Sequence, residues 1–326
     1  MSHEIDFSNG RANIAYVGTE GTPWHGLGSS LTYDATIDDW KRESGLNFDV
    51  RSATVKFVDD GGTDELLSFD DRKVLYRSDT KAPLATVSKR YQPLQPGEVL
   101  EFFRELTEEQ GFQMDTAGSL HGGKRVWALA KMNEGQDVLG TDRVLPYLLL
   151  ATSFDGGLAT TGKFTAIRVV CHNTITMAMN SSSEGDRTTK VRHTSVFDPV
   201  AMKKSLGVYQ DAWTKWLKKA KMAAEAPIAM PQVEALTADI ASFTIPKGAE
   251  PSDSKAYKKI IDLFNGEAIG SDLTQGATYW QWINSVTEYV DHHRGRAADS
   301  RMNRAWFGDG DALKTRAFNL VEEALI

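Results

Sequence analysis

Leu148-Leu-Leu-Ala-Thr-Ser-Phe-Asp-Gly-Gly157 is the stretch whose reading decides the fold. Leu145 to Ala151 is almost wholly apolar. A strand without polar alternation is covered on both faces, so this one belongs in the middle of a sheet. Asp155-Gly-Gly157 is a turn signal, which predicts a hairpin joining Val144–Phe154 to Leu158–Val170. So short a turn makes the two strands antiparallel.

The same grammar extends in both directions. Upstream, Phe112–Leu120 and Arg125–Ala130 flank His121-Gly-Gly123, a second hairpin. Before it, Val50–Val58 alternates with β-branched residues, and Lys73–Arg77 and Leu84–Ser88 read as further strands. Gly97–Glu109 carries Val99, Leu100, Phe103 and Leu106 on one helical face. Residues 1–48 read as mostly irregular, apart from a short helix at Ile37. Within them, Trp24-His25 reads as a plug at the edge of a core.

Downstream, Ser181–Thr189 is small and polar and reads as a loop. A long helix is expected from Pro199 to Ala224, with Leu206, Tyr209, Trp213, Trp216 and Ala220 as a core-facing stripe. Gln232–Phe243, Asp253–Asn265, Thr278–His292 and Asp311–Leu325 continue as amphipathic helices. Strands first and helices after predict an α+β protein. Its antiparallel sheet spans roughly residues 50–170, and its C-terminal third is mainly helical. We divide it into a β-rich core, 1–198, and a helical region, 199–326, packed on that core.

No apolar run approaches the roughly 18 residues of a membrane span, and the N-terminus lacks a signal-peptide pattern. With Cys171 the only cysteine, neither an internal disulfide nor a cysteine zinc site can form. These features lead us to expect a cytoplasmic protein with no membrane partner. The net charge is −7, yet residues 121–224 hold 15 Lys and Arg against 8 Asp and Glu, a surplus of +7. Either this basic middle forms a phosphate-binding face, or acidic helices pack around it and cancel it.

Cys171, His172 and Asn173 invite a nucleophile reading. Neighbours on a strand point to opposite faces, however, so His172 cannot serve Cys171, and we read the thiol as structural. The seven histidines show no metal spacing. Ser153-Phe-Asp155-Gly-Gly157 is not a nucleophile elbow, and no phosphate-loop or dinucleotide motif occurs. No catalytic residue, metal or cofactor is therefore expected. A different constellation stands out: Lys163, Arg168, Arg187, Lys190, Arg192 and His193 can bind phosphate, and Asn173 can add a neutral hydrogen bond.

Several of these residues carry a family resemblance. Ser153-Phe-Asp-Gly156, Arg168-Val-Val-Cys-His-Asn-Thr174 and Arg192-His-Thr194 resemble the signature of a phage- and plasmid-associated family of unknown function. So do Pro23-Trp-His-Gly-Leu-Gly28, Tyr91-Gln-Pro-Leu-Gln95 and Val286-Thr-Glu-Tyr-Val-Asp-His292. Phe154 stands where the family more often has His, which argues against catalysis at that position. The resemblance implies a mobile-element source. At fold level alone the strand-then-helix order is similar to phage single-strand annealing proteins, which assemble into rings or filaments. We therefore expect a homo-oligomer that binds single-stranded DNA in recombination or replication. A nucleotide- or nucleic-acid-processing enzyme using Cys171 or His193, and an accessory protein for a host or defence factor, are the competing readings.

Overall fold

The computed structural model describes residues 6–7, 10–17, 27–59, 61, 65–132, 135–168, 173–176, 188–206, 209–273, 276–295 and 301–325. The strands are β1 (Ile14–Val17), β2 (Ser29–Leu31), β3 (Val50–Val58), β4 (Leu66–Arg77), β5 (Pro83–Ser88), β6 (Gln113–Leu120), β7 (Arg125–Lys131), β8 (Gln136–Asp137), β9 (Arg143–Ser153), β10 (Thr160–Arg168), β11 (Asn173–Thr176) and β12 (Thr188–Val191). The helices are α1 (Ile37–Glu43), α2 (Pro96–Gln110), α3 (Pro199–Leu206), α4 (Tyr209–Glu225), α5 (Met230–Ser242), α6 (Lys255–Asp262), α7 (Tyr279–Glu288), α8 (Arg301–Phe307) and α9 (Asp309–Leu325). The protein is α+β, strands preceding most of the helices. Among the described residues, no helix is long and apolar enough to cross a membrane.

The large sheet runs β11-β10-β9-β7-β6-β1-β2, with β12 also on β10 and β8 on β9. β9 is interior, as its unbroken apolar run demanded. Its Val144, Leu148 and Leu150 enter one core; its Leu145, Tyr147, Leu149 and Ala151 enter a second core on the other face. Pro146 is tolerated inside this strand for a local reason. Its carbonyl accepts from Met132 N–H at 3.0 Å, so its missing N–H also points toward the β7 side. Met132 stands opposite Pro146, one step beyond the pair Lys131–Tyr147, so the proline forgoes a single bond, to Met132 O, at the end of the β7 ladder and not inside it.

The first core is shared by both halves of the chain. Phe103 of α2 and Leu148 of β9 belong to the same cluster as Trp216, Trp280 and Val321 of the helical region. The second core, smaller, is closed by Trp306 and Phe307 of α8. A separate three-stranded sheet, β3-β4-β5, joins the body at its base, where Val50, Leu75 and Val87 are buried.

Four details differ from the sequence reading. β1 and β2 lie in a region read as irregular, and they pair in parallel with each other; two runs this short give no periodicity to detect. The loop expected to end at Thr189 gives way to β12, whose Thr-Thr-Lys-Val is polar because it lies at the sheet's edge. The long helix from Pro199 is two helices, α3 and α4. α8, not anticipated, supplies the aromatic cover of the second core. The expectations for Trp24, His25, Cys171 and His172 fall outside the described residues.

Candidate nucleic-acid interface

Three of the quoted motifs meet at one end of the large sheet. The junction is built on Ser153, the last residue of β9. Its carbonyl accepts a 2.6 Å hydrogen bond from the Tyr91 hydroxyl. Its own hydroxyl accepts from Leu158 N–H at 2.9 Å and contacts Leu158 O at 3.0 Å, which closes the turn toward β10. Asp155 tightens that turn by accepting from Gly157 N–H at 2.8 Å.

His193, just past β12, locks the third motif in place. Its ring stacks on Tyr91 with centroids 4.4 Å apart and planes inclined by 21°. Its Nε2 lies 2.9 Å from Leu158 O and its Nδ1 3.4 Å from Gln92 O. Its backbone carbonyl accepts from Gln92 N–H at 2.5 Å. Burial, and after it the Asp155 carboxylate, raises the Tyr91 pKa above its ordinary value. Burial works against ionisation of Asp155. The Gly157 N–H, the Ser153 hydroxyl and the Arg125 charge outweigh it and hold the Asp155 pKa low. Tyr91 is thus a neutral donor and Asp155 a carboxylate at neutral pH.

This framework gathers three basic pairs. Lys89-Arg90 precedes Tyr91, and both are exposed. Lys124-Arg125 lies alongside because Phe154 N–H donates to Lys124 O at 2.7 Å and Arg125 pairs with Ser153 across the sheet. Lys190 and Arg192, both exposed, lead into His193. Asp155 is the acidic residue at this turn. Neither Lys89-Arg90 nor Lys124-Arg125 figured in the sequence reading. The available signal was a dibasic pair directly before Tyr91 and another directly after the His121-Gly-Gly123 turn.

The remaining predicted residues are distributed differently. Lys190, Arg192 and His193 are together at the junction. Lys163 is not on the surface: it is 8% exposed, and its ammonium pairs with Asp311 at the start of α9. Arg168 and Asn173 pair across β10 and β11 at the other end of β10, and Arg187 lies outside the described residues. Part of the basic surplus is cancelled by acidic residues from elsewhere in the chain. Lys203 reaches Glu105 at 2.8 Å and Glu109 at 3.0 Å, and Lys219 pairs with Glu322. Among the described residues, no group of three or more His, Cys, Asp or Glu is placed to hold a metal.

A family model described as a domain of unknown function, DUF932, matches residues 83–307. The chain belongs to the DUF932 family. The matched segment contains the whole junction, from Lys89 to His193, and the helices through α8. Asp311, which neutralises Lys163, lies beyond it. No curated protein and no solved structure matches the chain.

Proposed function

We propose that this DUF932 protein binds single-stranded DNA through the basic end of its large sheet, and serves recombination or replication of a phage or other mobile element in the host cytoplasm. One observation carries the reading: the segments bearing Lys89-Arg90, Lys124-Arg125 and Lys190/Arg192 are tied to one junction by hydrogen bonds although they are far apart in sequence. The exposed cations Lys89, Arg90, Lys190 and Arg192 supply the phosphate-neutralising part of such an interface. The negative remainder of the chain disfavours binding elsewhere and steers a polyanion to this end. The family resemblance supports the mobile-element setting, and the annealing role rests on fold-level likeness.

The test is a filter-binding titration with a single-stranded oligonucleotide across a salt series. The wild type is compared with the triple variant Arg90→Glu, Lys190→Glu, Arg192→Glu, all at exposed positions. If each side chain neutralises one phosphate, losing three contacts makes the slope of log affinity against log salt shallower by about 2. Indistinguishable slopes, or no binding by the wild type at low salt, would refute the proposal.

A further inference from the structure

β3 presents an open sheet edge. It is the outer strand of β3-β4-β5, and among the described residues no strand lies on its other side. Ser52, Thr54, Lys56 and Val58 are all exposed. The side chain of Gln95 shows which backbone groups face outward. Gln95 Oε1 accepts from Val50 N–H at 2.8 Å, and its Nε2 donates to Val50 O at 3.2 Å. Alternate residues turn their N–H and C=O to the same side, so those of Ser52, Thr54, Lys56 and Val58 face outward too. The ladder's irregularity lies in β4: Thr54 pairs with Lys73 while Val55 pairs with Phe69. The extra residues are therefore on β4, and β3 runs on unbroken.

Such an edge is a template for another strand, and native proteins usually blunt it with proline, a bulge or a covering segment. β3 has neither proline nor bulge, and Lys56 is its lone charge near the middle. Its outward sheet face is apolar as well: Phe57 is 50% exposed and Phe69, next to it across the ribbon, is 47% exposed.

We propose that β3 pairs antiparallel with β3 of a second copy of this chain about a two-fold axis at Val55. This register is selected by hydrogen bonding and by charge. Val55 meets its own mate as a non-hydrogen-bonded pair. Thr54 then faces Lys56 of the other copy and Ser52 faces Val58, which engages every outward backbone group from Ser52 to Val58. Ala53 faces Phe57, extending the apolar face across the axis. Arg51 faces Asp59, once on each side of the axis, and no like charges are opposed. In the single chain Arg51 has only a 3.8 Å contact to exposed Asp49. A foreign strand could satisfy the same backbone groups; the Arg51–Asp59 match is what specifies a second copy. Because the contact is isologous, it closes at a dimer and builds no filament by itself.

Sedimentation velocity of the full chain over a concentration series tests this. The wild type is expected to dimerise. Arg51→Asp and Asp59→Arg each turn two attractive pairs into two repulsive ones and should weaken association about tenfold or more. The doubly substituted chain, and an equimolar mixture of the two single variants, restore opposite charges at both positions and should regain wild-type association. Recovery in the mixture also requires both variants to be folded. A wild type that stays monomeric throughout, a dimer indifferent to the single changes, or failure of both the swap and the mixture to recover would overturn the proposal.

Discussion

Removing the Tyr91 hydroxyl isolates the bond that ties two motifs together. Tyr91→Phe keeps the ring stacked on His193 and deletes the hydroxyl that donates to Ser153 O at 2.6 Å and is also met by the Gly156 backbone. The site is buried, Tyr91 being 7% exposed, so water does not replace the lost donor. A neutral hydrogen bond contributes roughly 1 kcal/mol net, and a buried acceptor left short adds to the loss. The expected cost is about 1.5–2 kcal/mol, read from urea unfolding as a lower midpoint with an unchanged slope. The variant also has a pH signature. The folded-state pKa of Tyr91 is raised above its unfolded value near 10, so the folded chain keeps a proton that the unfolded chain releases. This contribution is fully present below about pH 10 and is lost as pH rises toward the folded pKa. Wild-type stability should fall over that alkaline range, and Tyr91→Phe should fall less steeply. A variant as stable as wild type at neutral pH, with the same alkaline profile, would show that the hydroxyl is not committed to Ser153.

Two further outcomes follow from the same structure. Lys163→Met removes the ammonium beside the Asp311 carboxylate and should cost about 2 kcal/mol in denaturant unfolding; Lys163→Met with Asp311→Leu should recover most of it, and neither should change the salt slope of DNA binding. Gly123 sits at φ +87°, and a Cβ there would lie 2.6 Å from Nη1 of the buried Arg77, which holds Asp6 and Asp79. Gly123→Ala should therefore lower stability by about 2 kcal/mol or more, measured by the same unfolding assay.

What the sequence by itself determined was everything encoded by short-range pattern. The apolar run at Leu145–Ala151 marked an interior strand because both of its faces are covered. The two Gly-Gly turns marked hairpins, and the 3.6-residue stripes marked the C-terminal helices. His193, Lys190 and Arg192 were legible as candidate site residues because they stand next to one another in the chain. Tertiary structure decided the rest. A parallel pair such as β1 and β2 has no connecting turn to announce it. Nothing local to Lys163 reveals that Asp311 will neutralise it inside the protein. Lys89-Arg90 joins the candidate site through the contacts of Tyr91 and Gln92 with Ser153 and His193, and Lys124-Arg125 through the register of β7 on β9 and the bond from Phe154 N–H. The physical reason is the same in each case. Propensity and periodicity are properties of neighbouring residues, whereas a charge's partner, or a strand's open edge, is fixed by which distant segments the core brings into contact.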